Sequence, residues 1–118
     1  MKILFKREGK LVSLVGGDVV GYIVFKKPKD ASGDRNIVID YVYVKPAFRR
    51  KGIAEALVRE VLKRNKHAVW VSLWTGKQSE IDCSWKLYKK IGFTQRVLQK
   101  DYYGDGVAVR MFTMRLRK

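Results

Sequence analysis

Residues 36–58 read NIVIDYVYVKPAFRRKGIAEALV, and this stretch decides the fold. Asn36 to Val44 is dense in β-branched and aromatic side chains, which predicts a strand. Pro46 closes it, because proline has no amide proton to give to a ladder. The period then changes. Ala54, Leu57, Val58, Val61 and Leu62 recur at helical spacing, with Arg59, Lys63 and Arg64 largely on the other face. Strand and helix are joined by Arg49-Arg50-Lys51-Gly52-Ile53-Ala54. The opening turn of a helix presents unpaired N–H groups and a partial positive charge. A glycine there lets a ligand approach the backbone, and three flanking cations deepen the potential. These residues therefore predict a seat for a phosphate-bearing anion.

Upstream, Ile3–Phe5, Leu11–Val15 and Val19–Lys27 read as short strands. Glu8-Gly9-Lys10 and Gly16-Gly17-Asp18 supply the turns between them, and Pro28–Arg35 reads as a loop. Downstream, Ala68–Trp74 reads as a buried strand, with Trp70 and Trp74 on one face as core or groove lining. Ser79 can cap a second helix running to about Lys90, and Gly92 is its stop. Phe93–Tyr103 and Val107–Leu116 read as strands joined across Gly104-Asp105-Gly106. The predicted order is β-β-β-β-α-β-α-β-β, an α+β chain whose sheet is mixed and mostly antiparallel.

The whole chain, 118 residues and 13.7 kDa, is the size of one domain, 1–118. Hydrophobic residues at 47% exclude a disordered tail protein. No apolar run reaches the roughly 18 residues of a membrane span. The start, MKILFKREGK, has no long apolar signal core, which argues for a cytoplasmic protein away from membranes. Cys83 has no partner for an internal disulfide, and with His67 the only histidine a metal site is not expected. Cys83 reads as packing rather than as a nucleophile. Twenty-six basic side chains against 11 acidic give a formal charge of +15. Residues 45–66 hold 8 basic and 2 acidic side chains, and residues 86–118 hold 9 and 2. The positive field thus lies in the middle and at the C-terminal end, and it attracts anions.

Val42-Tyr43-Val44-Lys45-Pro46, followed by RRKGIA and Ala56-Leu57-Val58, resembles motif A of the GNAT superfamily of acyl-CoA-dependent N-acetyltransferases. Arg49, Gly52 and Ala54 occupy its fixed positions. Leu87-Tyr88-Lys89-Lys90-Ile91-Gly92-Phe93 is similar to the family's second signature. Asp101-Tyr102-Tyr103-Gly104-Asp105-Gly106, with Met111 and Met114, is similar to the RimI-like branch, which acetylates protein N-termini. The resemblance implies a three-layer GNAT-like fold with about six or seven strands. It implies acetyl-CoA as cofactor, with the pyrophosphate on the N–H groups of Arg50, Lys51, Gly52, Ile53 and Ala54. The pantetheine arm would run along Val42-Tyr43-Val44, and an N–H near Val44 would hold the oxyanion. Tyr88 would protonate the departing thiolate. Tyr41, Ser72, Tyr102 and Tyr103 would face the acceptor.

Two departures bear on mechanism. The family usually follows its first strand with two helices that wall the substrate groove, and Lys2–Lys27 leaves no room for them. The groove would be open, or closed by a second copy in a homodimer. The RimI-like branch also places a glutamate where Ser72 stands, and an asparagine where Ile81 stands beside Asp82. Asp40, the only acid inside an apolar strand, is the first candidate to replace that glutamate, if burial beside Tyr41 raises its pKa. Glu80 and Asp82 are further candidates. A poor base favours an α-amine, of which roughly 10–17% is neutral at pH 7, over a lysine amine at roughly 0.04%. The positive surface favours acidic or neutral N-termini, and ribosome or tRNA association. The expected function is acetyl transfer to a primary amine, most naturally a protein N-terminus. The alternatives are transfer to aminoacyl-tRNA, or a catalytically weak module that binds RNA or DNA.

Overall fold

The computed structural model describes residues 1–27, 35–76, 85–102, 104 and 106–116. Strands β1 (Lys2–Arg7), β2 (Lys10–Val15), β3 (Asp18–Lys26) and β4 (Asn36–Val44) come first. A 3₁₀ turn over Pro46–Phe48 leads into helix α1 (Ile53–Arg64). Strand β5 (Trp70–Thr75), helix α2 (Trp85–Ile91), β6 (Thr94–Gln99) and β7 (Val109–Arg115) follow. The seven strands form one sheet in the order β1-β2-β3-β4-β5-β7-β6. Only β4 and β5 run parallel, so the sheet is mixed and mostly antiparallel, as the sequence predicts.

Side chains directly opposite each other on neighbouring strands share a face. Leu11, Ile23 and Val42 make one such row, and Ile39, Leu73 and Phe112 another. These rows meet Leu57, Val58 and Val61 of α1 and Tyr88 of α2 in a single core. Each fully buried aliphatic contributes roughly 1.5–3 kcal/mol. Helix α1 lies over β2, β3 and β4, and α2 lies beside α1 and β6. Among the described residues the molecule is therefore two layers, not the three that the resemblance implied. The physical reason is that the first 26 residues form β1–β3 instead of helices. No helix is long and apolar enough to cross a membrane among the described residues.

Several boundaries differ from the sequence reading. Strand β5 begins at Trp70, because the N–H of Ala68 bonds back to Asn65 and closes the turn after α1. Strand β6 stops at Gln99 and β7 starts at Val109, because Asp101 takes a positive φ of 56° and turns the chain early. The Ser79 cap, Glu80, Ile81, Asp82, Cys83 and Tyr103 lie outside the described residues.

The feature that shapes the site is a β-bulge. Val24 pairs with Tyr41 while Phe25 pairs with Ile39, so Asp40 is the extra residue on β4. A bulge shifts the side-chain alternation by one. Before it, Ile37 and Ile39 face the helices; after it, Val42 and Val44 do. Tyr41 and Tyr43 consequently point to the other face and are exposed.

Candidate active site

The parallel ladder between β4 and β5 runs from Asn36–Trp70 to Ile39–Leu73 and stops there. Both strands continue, β4 to Val44 and β5 to Thr75, so they part at the bulge and form a fork. Bulges end pairing in this way by increasing local twist. The amide orientation of β4 beyond the fork follows from one bond. The N–H of Lys45 donates to the carbonyl of Val20 on β3 at 2.8 Å. Amides alternate sides along a strand, so the N–H groups of Val42 and Val44 turn away from β3, into the fork.

The loop at the top of the fork is held in an unusual backbone state. The Arg49 side chain folds back, its Nε donating to the carbonyl of Val44 at 2.9 Å, with the guanidinium 5.9 Å from the Tyr43 ring. Arg50 adopts φ 62° and Gly52 adopts φ 81°, ψ 8°. Alternation into left-handed geometry curls successive N–H groups toward a common point, a concavity suited to anions. Gly52 then caps α1, and the first intrahelical bond runs from the N–H of Ala56 to the Gly52 carbonyl at 3.0 Å. The amides of Ile53, Ala54 and Glu55 therefore have no helical acceptor. A Cβ built on Gly52 meets nothing within 4 Å, so the cradle opens to solvent. The Ile53 side chain is buried in the core, which leaves its amide as the group it can offer a ligand.

Glu55 in the first turn would repel an anion, but it is occupied. Lys90 Nζ lies 2.9 Å from one carboxylate oxygen, and Arg59 Nε donates to the other at 3.0 Å. Hydrogen bonds from Lys90 and then Arg59 hold its carboxyl below the usual range. The pairing ties α2 to α1, and Arg50 and Lys51, in the loop before the cradle, are both exposed, with Lys51 Nζ 5.8 Å from the Phe48 ring.

Tyr88 sits beneath the fork. Its ring packs 5.9 Å from Phe112 and 6.1 Å from Phe93, and Phe112 pairs with Leu73, where the ladder ends. Burial pushes its phenol up to about 12. Because the folded value lies above the unfolded value of 10.0, this contribution to stability is complete below pH 10. It is lost as pH rises from 10 towards 12. The loss is on the order of a few kcal/mol. Urea midpoints measured from pH 9 to 12 should fall through that window in the native chain, and by less in Tyr88→Phe; equal loss in both would place the titrating group elsewhere.

Asp40 is where the sequence reading needs correction. It is exposed, not buried beside Tyr41, and its carboxylate lies 3.6 Å from Lys26 Nζ. The bulge turns it out of the strand.

Of the expected acceptor-side residues, Tyr41 and Ser72 lie on the helix-free face of the sheet, and Tyr102 lies farther along that side. An open groove of about 530 Å³ is lined by Trp74, Thr75, Gly76, Val97, Gln99, Tyr102 and Val109. Trp74 directly follows Leu73, so the groove begins at the fork. Ser72 does not line it. Trp74 is 56% exposed, so the groove-lining alternative for this residue holds, and the core alternative does not. Val97, Gln99 and Val109 went unnoticed in the sequence. Their only signal is their alternation on two strands whose pairing the sequence does not reveal.

The sequence pattern of the acetyltransferase (GNAT) family matches residues 3–93. No curated protein matches the chain. Among solved structures, the chain is similar to Ard1 from Thermoplasma volcanium, with 26% identity and a TM-score of 0.76 over 94% of this chain and 72% of that one. It shares its fold with yncA from Salmonella typhimurium, described as an acetyltransferase and solved with its cofactor acetyl-CoA. Identity there is 21% and the TM-score 0.78, over 92% of this chain and 65% of the other. It also shares its fold with an aminoglycoside 6'-N-acetyltransferase complexed with coenzyme A, at 12% identity and a TM-score of 0.77, over 92% and 73% of the two chains.

Proposed function

The chain belongs to the acetyltransferase (GNAT) family, and on that premise we propose that it moves an acetyl group from acetyl-CoA to a protein N-terminal α-amine, in the manner of the RimI-like branch. The observation that carries the reading is the fork with its cradle. A strand edge with inward amides leads to a glycine-capped helix start that opens to solvent. Those groups fit a long chain of amides ending in a diphosphate. The amides of Gly52, Ile53 and Ala54 would receive the diphosphate, with Arg50 and Lys51 beside it. The Val42 and Val44 edge would pair with the amide arm as an added strand does.

Bound acetyl-CoA supplies a thioester carbonyl open to attack by an amine. Everything else falls to this chain's residues. The Val44 amide, turned into the fork, would donate to the carbonyl oxygen as negative charge gathers there. Tyr88 holds a proton below the fork. A phenol raised to about 12 is a weaker acid than a thiol near 8.5, so it does not hand over its proton at equilibrium. In this reading it steadies the leaving sulfur by donating a hydrogen bond. The groove from Trp74 to Tyr102 would take the acceptor's first residues, with Tyr41 across the fork. The +15 charge favours acidic or neutral N-termini.

Among the described residues the one carboxylate in the β4–β5 region, Asp40, is exposed and paired with Lys26. Such a site needs an amine that is already partly neutral. With a peptide panel, kcat/KM should rise about tenfold per pH unit below the α-amine pKa of roughly 7.7–8.0, then level off. Thiol release with mass mapping of the product checks this. Modification at a lysine Nζ, or no thiol release with any peptide, would defeat the reading.

A further inference from the structure

The family's chemistry uses the fork, and it leaves most of the opposite sheet face unexplained. Cross-strand pairing assigns Val12, Tyr22, Val24, Tyr41, Tyr43, Trp70 and Trp74 to that face. Tyr41 is 68% exposed, and Tyr43 and Trp74 are exposed as well. The chain as a whole exposes 7600 Å², where scaling for its mass gives about 6,600 Å². It is correspondingly flat, 40 × 38 × 23 Å.

The charges on this face are nearly all of one sign. Lys2, Lys10, Lys26 and Arg115 lie on it by pairing, and Arg96 reaches it through its bond to Thr113 Oγ1 at 3.0 Å. Asp40, paired with Lys26, is its one carboxylate among the described residues. Cations and rings coincide. Lys10 Nζ lies 4.7 Å from the Tyr22 ring, and the Arg115 guanidinium 5.5 Å from the Trp70 ring. Tyr22 in turn lies 5.5 Å from Tyr43.

We propose that this helix-free face docks single-stranded RNA. A second copy of the chain would bring the same cations against these and be repelled. A phosphodiester strand brings the opposite charge. An acidic protein could answer the lysines but would leave the exposed Tyr41 and Trp74 rings unstacked, whereas unpaired bases stack on them. A duplex hides its bases from such rings, so the strand must be single. Asn36, Ser72 and Thr113 share the face and offer polar partners for a 2′-hydroxyl, which selects RNA over DNA. From the Trp70 row to the Tyr22 row the face runs seven residues of β4, about 23 Å, the scale of a four-nucleotide site. The inference shares Tyr41 and Trp74 with the proposed acceptor groove but uses neither the cradle nor Tyr88, so RNA binding measured without acetyl-CoA tests it separately from the transferase reading.

The test is fluorescence anisotropy of the full chain, without acetyl-CoA, with a labelled unstructured oligouridine of 12 nucleotides. Four neutralised phosphates predict a log–log salt slope of about −3. Tyr41→Ala and Trp74→Ala, both at exposed positions outside the core, should each weaken binding roughly tenfold. Lys10→Ala with Arg115→Ala should flatten the salt slope. Lys63→Ala with Lys66→Ala, the same charge loss on exposed positions at the end of α1, should leave affinity within about twofold. Four outcomes would overturn the proposal. They are aromatic variants that bind as the native chain does, an α1 pair that costs as much as the sheet pair, poly-glutamate or oligothymidine binding as tightly as RNA, and a concentration-dependent dimer that RNA does not dissociate. Loss of acetyl transfer with RNA binding intact would count against the enzyme reading alone.

Discussion

Gly52→Glu should weaken coenzyme A binding by about a hundredfold or more in calorimetry. Gly52 caps α1 at φ 81°, a left-handed conformation that costs an L-residue roughly 1–2 kcal/mol. A Cβ there meets nothing within 4 Å, so the fold survives that strain. The new carboxylate would stand in the open mouth of the cradle, where the diphosphate must come. It would also turn the local field against an anion. Gly52→Asn separates the two effects, because asparagine tolerates left-handed geometry and brings no charge. The asparagine variant should lose far less affinity than the glutamate one. If the glutamate variant binds coenzyme A as the native chain does, the diphosphate is not seated at the start of α1.

Tyr88→Phe should lower turnover about a hundredfold while leaving coenzyme A affinity in place. The ring contacts with Phe93 and Phe112 survive the substitution, so packing is kept and melting should change little. The lost hydroxyl is the group that, on the proposed reading, would donate a hydrogen bond to the leaving sulfur. Because burial holds that phenol near 12, the native enzyme's alkaline limb should not come from Tyr88 below pH 10. Any fall in rate between pH 8 and 10 must then arise from another group. Full activity in Tyr88→Phe would remove this residue from the chemistry.

Much of the fold was written plainly in the chain. β4 was legible because Asn36–Val44 is β-branched and aromatic throughout, and α1 because its apolar residues keep helical spacing. The strand-to-helix junction was legible because Pro46 closes the strand pattern and Gly52 stands just before the helical one. The fork was not. In NIVIDYVYV nearly every position is apolar, so the alternation carries no phase, and nothing betrays that Asp40 is skipped by its neighbour strand. That is also why Asp40 looked buried. The character of Trp70 and Trp74 was hidden for another reason. A tryptophan on a strand face reads as core whenever a layer covers it, and only the tertiary arrangement shows that no helix lies there among the described residues. The groove along β6 and β7 depends on a pairing between residues far apart in sequence, with a further bulge between Gln95 and Val97.

The bulge at Asp40 also gives β4 one place where a residue can be lost. Ile39 and Tyr41 already pair with consecutive residues of β3, Phe25 and Val24, so excising the codon between them would restore an unbroken ladder and leave every later side chain on the face it has now. The added twist at the fork would go, but the tyrosines would stay in water and the valines under the helices. A deletion among Tyr41–Val44 has no such spare residue. It moves every later side chain and amide to the opposite side, and it should be far less tolerated than any change at Asp40, whose carboxylate pairs with Lys26.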